Sequence, residues 1–231
     1  MDRGPGGGVD RGGSQDASLG FRLGLGVLLL ALLGGLGLAV LSLPAQAPGL
    51  APAVGARMAQ SGVEHQVTAV LLNFRAYDTL LELAVLLLAL LGVWSLAPAP
   101  RGGDSAPGPV LATLGRLLAP LMILMAGYLL WVGAQAPGGA FQAGAVLGAA
   151  GVLARLSGCR LPVRLAGWPL RLTLVLGVLV FAVIGVGVIP LGGSLLAYPP
   201  AWAGGLILVI ETAATLSIAA LLTALFLGGR P

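Results

Sequence analysis

Lysine is absent from this 231-residue chain, and histidine and cysteine occur once each, as His65 and Cys159. A single cysteine cannot close an intramolecular disulfide, and one Cys with one His cannot build a metal cluster. Charge is scarce as well, at 9% of residues against 58% hydrophobic, with a mean hydropathy of +1.01. A soluble domain of this size needs about 25% charge to cover its surface, so a soluble globular fold is excluded. The net charge of +4 and pI near 10.2 raise the question of nucleic acid. Aromatics make up only 5%, however, and the twelve basic residues, all Arg, are scattered at the ends of apolar runs, so no aromatic-basic surface for nucleic acid exists. Nothing suggests a metal, a redox cofactor or an enzyme's nucleophile.

What remains is an all-α polytopic membrane protein. Apolar runs at about 20–43, 67–96, 110–133, 139–157, 172–191 and 203–227 predict six transmembrane helices. The first is read as an anchor rather than a cleaved signal, because its apolar part exceeds the usual ~7–15 residues and Pro48 follows the Ala45-Gln46-Ala47 imitation of a cleavage site. Pro120 is expected to kink the third run. With the N-terminus inside, the inner ends hold Arg3, Arg11, Arg22, Arg101, Arg116, Arg155, Arg160, Arg164, Arg171 and Arg230, while the outer loops hold only Arg57. That asymmetry predicts both termini cytoplasmic. Trp168 falls at an inner end and Tyr128, Trp131, Tyr198 and Trp202 at outer ends, as interfacial aromatics should. The organisation reads as a disordered tail over 1–19, a two-helix module over 20–96, a Pro/Gly linker over 97–109 and a four-helix domain over 110–229.

The second run carries charge where lipid tolerates little. On one continuous helix at 100° per residue, Thr68, Arg75, Asp78, Thr79 and Glu82 fall within one arc, with Glu64 in line upstream. A carboxylate near the middle of a bilayer costs roughly 2.5–3.5 kcal/mol on insertion scales, so two on one stripe must face protein or water. The plain reading is an internal Arg75–Asp78–Glu82 salt bridge that permits insertion. One Arg against two acids leaves an acid over, which favours an ion or proton path. His65 suits a proton relay or an interfacial position. Glu211 is a third intramembrane acid, eight residues past Ala203 and about 12 Å in, with Thr215 one turn on along the same face. The turn Gln135 to Gln142 is a tight hairpin or a functional turn, and a phosphate loop is excluded because it has no Lys, Ser or Thr and no preceding strand.

The run Val70-Leu-Leu-Asn-Phe-Arg-Ala-Tyr-Asp-Thr-Leu-Leu-Glu82 resembles the DFRGFDTLGE pattern at the end of the large subunit of Mrp-type multisubunit Na+/H+ antiporters. It is equally similar to the matching small subunit of membrane-bound hydrogenases and sulfane reductases. The run from about 109 to 227 resembles the MnhB-like domain of those complexes, whose HNAPGGGFQGG signature appears here as Ala134-Gln-Ala-Pro-Gly-Gly-Ala-Phe-Gln-Ala-Gly144. Leu81 stands where the pattern has Gly, Asn73 where it has Asp, and Ala134-Gln135 where it has His-Asn.

The resemblance implies a subunit of a Na+/H+ antiporter complex in a prokaryotic cytoplasmic membrane, working among other membrane subunits. Asp78 and Glu82 would change protonation or bind Na+ transiently, with Thr79 as a further oxygen, Arg75 holding the two acids apart, and Glu211 and His65 as further steps. Pro137, Gly138, Gly139, Phe141 and Gln142 would form the supporting turn. The alternatives are a membrane-arm subunit of a hydrogenase-like or sulfane-reductase-like pump and a purely architectural subunit.

Overall fold

Runs this apolar satisfy their backbone polar groups internally only as helices. The computed structural model describes residues 12–43, 49–96, 107–159, 167–192 and 194–227. Its elements are α1 (Gly12–Leu41), α2 (Ala51–Arg57), a 3-10 turn (Met58–Gln60), α3 (Gln66–Ala69), a π-helical turn (Val70–Phe74), α4 (Ala76–Ser95), α5 (Pro109–Val132), α6 (Ala140–Leu156), α7 (Trp168–Gly187), α8 (Ile189–Gly192) and α9 (Ala203–Leu227). No strand occurs among the described residues. Five helices are long and apolar enough to cross a membrane: residues Leu19–Leu41 of α1, α4, α5, Trp168–Leu191 and α9. The protein is thus an all-α, multi-pass membrane protein.

Two compact units divide the chain, Met1–Gly49 and Leu50–Pro231. The first contains α1, which starts at Gly12 where the sequence suggests a tail to residue 19. The first eleven residues lie outside those described, as do 44–48 with the cleavage-site imitation and 97–106, most of the expected linker. Arg3, Arg11, Arg101, Arg160, Arg164 and Arg230, six of the ten arginines behind the expected orientation, also lie outside them.

In the second unit α9 is the axis. More than half of its most apolar window is buried (56%), against 22% for α4 and 28% for α7. Leu72, Leu83, Phe181, Ile207, Ile210 and Ile218 form the main core, and Leu90, Leu174, Leu221 and Ala224 a second cluster towards the other end. The helix α6 runs parallel to α9 and lies close against it, because the successive pairs Gly139–Glu211, Gly144–Ile218 and Gly151–Thr223 all meet. Small residues on this face let the backbones approach: a Cβ on Gly144 would lie 2.8 Å from Ile218 Cβ. The helix α7 is antiparallel to α9, with Ser217 Oγ donating to the Leu174 carbonyl at 2.7 Å.

Two sequence expectations are corrected here. First, 67–96 is not one continuous helix. The Arg75 N–H bonds the Val70 carbonyl five residues back at 2.8 Å, and Arg75 itself leaves the helical region (φ −128, ψ 33) before α4 begins. The Leu71 carbonyl loses its place in the regular ladder, and Thr79 Oγ1 donates to it at 2.6 Å. Second, the fourth apolar run, expected over 139–157, is helical only from Ala140 to Leu156, and Gly139 precedes the helix. That helix, α6, has 17 residues, or about 25 Å.

Among the aromatics expected at helix ends, one is buried. Tyr77, Tyr128, Trp131, Trp168 and Trp202 are exposed, but Tyr198 is buried and its hydroxyl has no hydrogen-bond partner among the described residues.

Candidate functional site

Because α9 extends about 12 Å beyond the level where α6 starts, the space above α6 has to be filled by other backbone. The segment 58–65 fills it, with Gly62 (φ +76) packed against Ala203 and Gly204. Its end is pinned to the turn that precedes α6: the Glu64 and His65 N–H groups both donate to the Ala134 carbonyl at 2.9 Å. One turn on, Thr68 Oγ1 donates to the Gly133 carbonyl at 2.5 Å. Asn73 Nδ2 ties the π turn back to the Ser61 carbonyl at 3.0 Å. The N-terminal half of this unit is therefore bound to the C-terminal half by main-chain acceptors.

The turn itself is tight. Gln135 and Ala136 N–H both return to the Val132 carbonyl, and Gly139 N–H reaches the Leu129 carbonyl at 2.8 Å. Gly139 adopts φ +99, a conformation that favours glycine. This aims the first free N–H groups of α6 at α9, where the Ala140 N–H donates to the Glu211 carboxylate. An anion at a helix N-terminus is the favoured charge there. Glu211 is 2% exposed. Thr215, one turn on and also buried, donates its hydroxyl to the Glu211 main-chain carbonyl at 2.8 Å.

A cavity of about 300 Å³ opens at this carboxylate. Glu211, Gly139, Phe141 and Gln142 line it from the C-terminal half; His65, Thr68 and Thr79 line it from the N-terminal half. Irregular backbone within a membrane domain is tolerated where it is buried or lines such a cavity. Thr68 spends its hydroxyl hydrogen on Gly133, so His65 Nδ1, 3.4 Å from Thr68 Oγ1, can meet it only as the N–H donor, which leaves Nε2 as the ring's acceptor.

The structure thus gathers His65, Thr79, Glu211 and residues Pro137 to Gln142 around one cavity, although Phe141 and Gln142, expected in the turn, belong to the first turn of α6. It does not bring Arg75, Asp78 and Glu82 there. Arg75 pairs with Asp78, their side chains 62% and 45% exposed, and Glu82 is exposed on the same outward side. The expected polar arc divides within α4 itself: Thr79 is buried at the edge of the packed face, while Asp78 and Glu82, about 60–100° round the same helix, turn outward, and Thr68 faces inward from before the π turn. Sequence reasoning left out Thr68 as a site residue, although its place beside His65 on the polar stripe was a usable signal. The role of the Ala140 N–H has no sequence signal at all, since every non-proline residue carries one.

Fold and site together define a polytopic helical membrane protein with an interior carboxylate set on a helix start. A family model described as a domain related to the MnhB subunit of Na+/H+ antiporter matches residues 110–227, and the chain belongs to that family. No curated protein matches the sequence. Among solved structures it is similar to a chain of the Mrp complex from Dietzia sp. DQ12-45-1b, with a TM-score of 0.62 and 23% identity over 97% of this chain and 27% of that one. It is also similar to a chain of the membrane-bound sulfane sulfur reductase, an archaeal respiratory membrane complex, with a TM-score of 0.64 and 23% identity over 90% of this chain and 97% of that one. This chain therefore spans just over a quarter of the Mrp chain (27%) and nearly all of the other (97%).

Proposed function

We propose that this chain is a membrane subunit of a multisubunit Na+/H+ antiporter of the Mrp type, placed in a prokaryotic cytoplasmic membrane with both termini inside. It contributes acids to the ion or proton path. The observation that carries this is Glu211, buried at the start of α6 and opening on a cavity walled by both halves of the unit. A carboxylate in that setting needs a counter-charge or a proton, and a site that takes either can exchange one for the other. Asp78 and Glu82 form a second acidic station on the outward face of α4, where neighbouring membrane subunits would cover them. His65, with a free Nε2, serves proton transfer within the cavity.

The test is antiport in everted vesicles carrying the assembled complex. Glu211→Gln and Glu82→Gln are each expected to assemble normally and to lose most antiport. Full activity in both would defeat this reading and leave the chain an architectural subunit.

The likeness to the sulfane sulfur reductase chain, which this chain matches almost end to end, supports a second reading as a membrane-arm subunit of a respiratory pump. Co-purification of the native protein separates the two: iron-sulfur or nickel-iron partners favour the pump, and antiporter-like subunits alone favour the antiporter.

A further inference from the structure

We propose that the cavity at Glu211 is itself a binding site for a partly hydrated Na+ ion, ligated by the Glu211 carboxylate and by the hydroxyl oxygens of Thr68 and Thr79. The inference rests on the antiporter reading and assigns the cation, rather than the proton alone, to this cavity.

The argument turns on where two hydrogens are spent. Thr68 Oγ1 donates to the Gly133 carbonyl at 2.5 Å and Thr79 Oγ1 to the Leu71 carbonyl at 2.6 Å. A carbonyl can only accept, so both hydroxyl hydrogens are committed to the backbone; the Thr79 oxygen keeps both lone pairs, and the Thr68 oxygen, which also accepts from the His65 Nδ1–H, keeps one. Thr68, Thr79 and Glu211 are each at least nine-tenths buried, and all three line the one cavity. An anion finds nothing to bind among them. A hard cation finds one carboxylate and two neutral oxygens, the ligand type that alkali and alkaline-earth ions take.

At about 30 Å³ per molecule, the cavity of about 300 Å³ has room for roughly ten waters, so the ion keeps part of its hydration shell. One negative charge matches one monovalent ion; a divalent ion would leave an uncompensated charge in the membrane interior. The start of α6 disfavours a cation, but the Ala140 N–H is occupied by the carboxylate.

This arrangement gives the break before α4 a purpose in the site. The π turn frees the Leu71 carbonyl, and that carbonyl is what turns the Thr79 hydroxyl into an acceptor. Two of the three protein ligands then come from the segment upstream of the family domain, so residues 110–227 hold only part of the site.

The test uses the purified full chain in nanodiscs, titrated with NaCl against choline chloride at constant ionic strength. The thermal midpoint and the 23Na line width are followed together. A bound ion raises the midpoint of the wild type. Glu211→Gln, nearly isosteric, should abolish the response, and Thr79→Val should raise the half-saturating Na+ by at least ~10-fold, the value of one ligand worth about 1.4 kcal/mol. Thr79→Ser keeps the oxygen and should stay within ~2-fold of the wild type on the same scale.

No Na+ response in the wild type, or an unchanged response in both Glu211→Gln and Thr79→Val, overturns the site. If Thr79→Val does not fold, the comparison of Glu211→Gln with Thr79→Ser decides alone. Loss of antiport in Glu211→Gln complexes together with an intact Na+ response would reject the cation site while leaving the antiporter reading standing. Wild-type antiport in both Glu211→Gln and Glu82→Gln complexes would reject the antiporter reading itself.

Discussion

Gly139 and Glu211 are in direct contact across the α6–α9 interface: a Cβ on Gly139 would lie 2.6 Å from Glu211 Oε1. The glycine is required twice over, by its φ of +99 and by the carboxylate that occupies the side-chain position. Gly139→Ala should cost about 1–3 kcal/mol in backbone strain and displace the acid. Vesicle antiport should fall by at least ~10-fold, since misplacement of about 1 Å is enough for such losses. Retained antiport with normal assembly would mean that the acid's position at the helix start is not critical.

Arg75 and Asp78 pair on the exposed side of the chain. Removing a partner from such a pair disturbs an isolated fold little. The expected outcome for Arg75→Ala is an unchanged thermal midpoint for the purified chain, with reduced antiport in the complex. Wild-type antiport would show that Arg75 does not act on Asp78 and Glu82.

Tyr198 has a buried hydroxyl without a partner among the described residues, and burial pushes its phenol well above the ordinary value. Its neutral form is the one the fold accepts. Stability linked to it is therefore complete below the unfolded phenol value near 10 and is lost as pH rises above that value. Tyr198→Phe should leave neutral-pH stability equal or raised by about 1 kcal/mol, because an unsatisfied group is removed. It should also flatten the alkaline fall of the thermal midpoint. A clear loss of stability at neutral pH would reveal a partner for the hydroxyl.

Gly148 lies against α9, where a Cβ would meet the Ala219 carbonyl at 3.2 Å and Leu222 Cβ at 3.3 Å. Gly148→Leu should destabilise by about 1–3 kcal/mol through overpacking, and Gly148→Ala by less. Thermal unfolding of the purified chain checks this. Equal midpoints for both variants and the wild type would mean that α6 and α9 can separate without loss.

Hydropathy and arginine placement made the membrane class legible, and Glu211 was visible as an acid deep in α9. The turn before α6 was legible as far as Gly139, while Ala140 to Gln142, expected to belong to it, open α6. Its meeting with Glu211 was not legible, since the absence of a side chain at Gly139 says only that something stands close. The break before α4 was hidden for a different reason. Val70 to Phe74 carries no breaker residue, and the π turn accompanies the tertiary bonds of Glu64, His65 and Thr68 to residues 133 and 134. A helical wheel drawn over 67–96 assumes those bonds away. Asp78 and Glu82 lie in the same regular helix as buried Thr79, about 60–100° round it, and a wheel does not say where between them the packed face ends.

The bonds that join the two halves end on the oxygens of Gly133 and Ala134, and the break before α4 is closed on that of Leu71. Substitution can change what surrounds a main-chain oxygen but cannot delete it. A scaffold fastened in this way can drift far in sequence without coming apart at its seams, and its donors are the places where drift would be felt. At the junction that burden falls on the Thr68 and Thr79 hydroxyls, the two groups that also face the cavity. Loss of the joint and loss of the site would then begin with the same mutations.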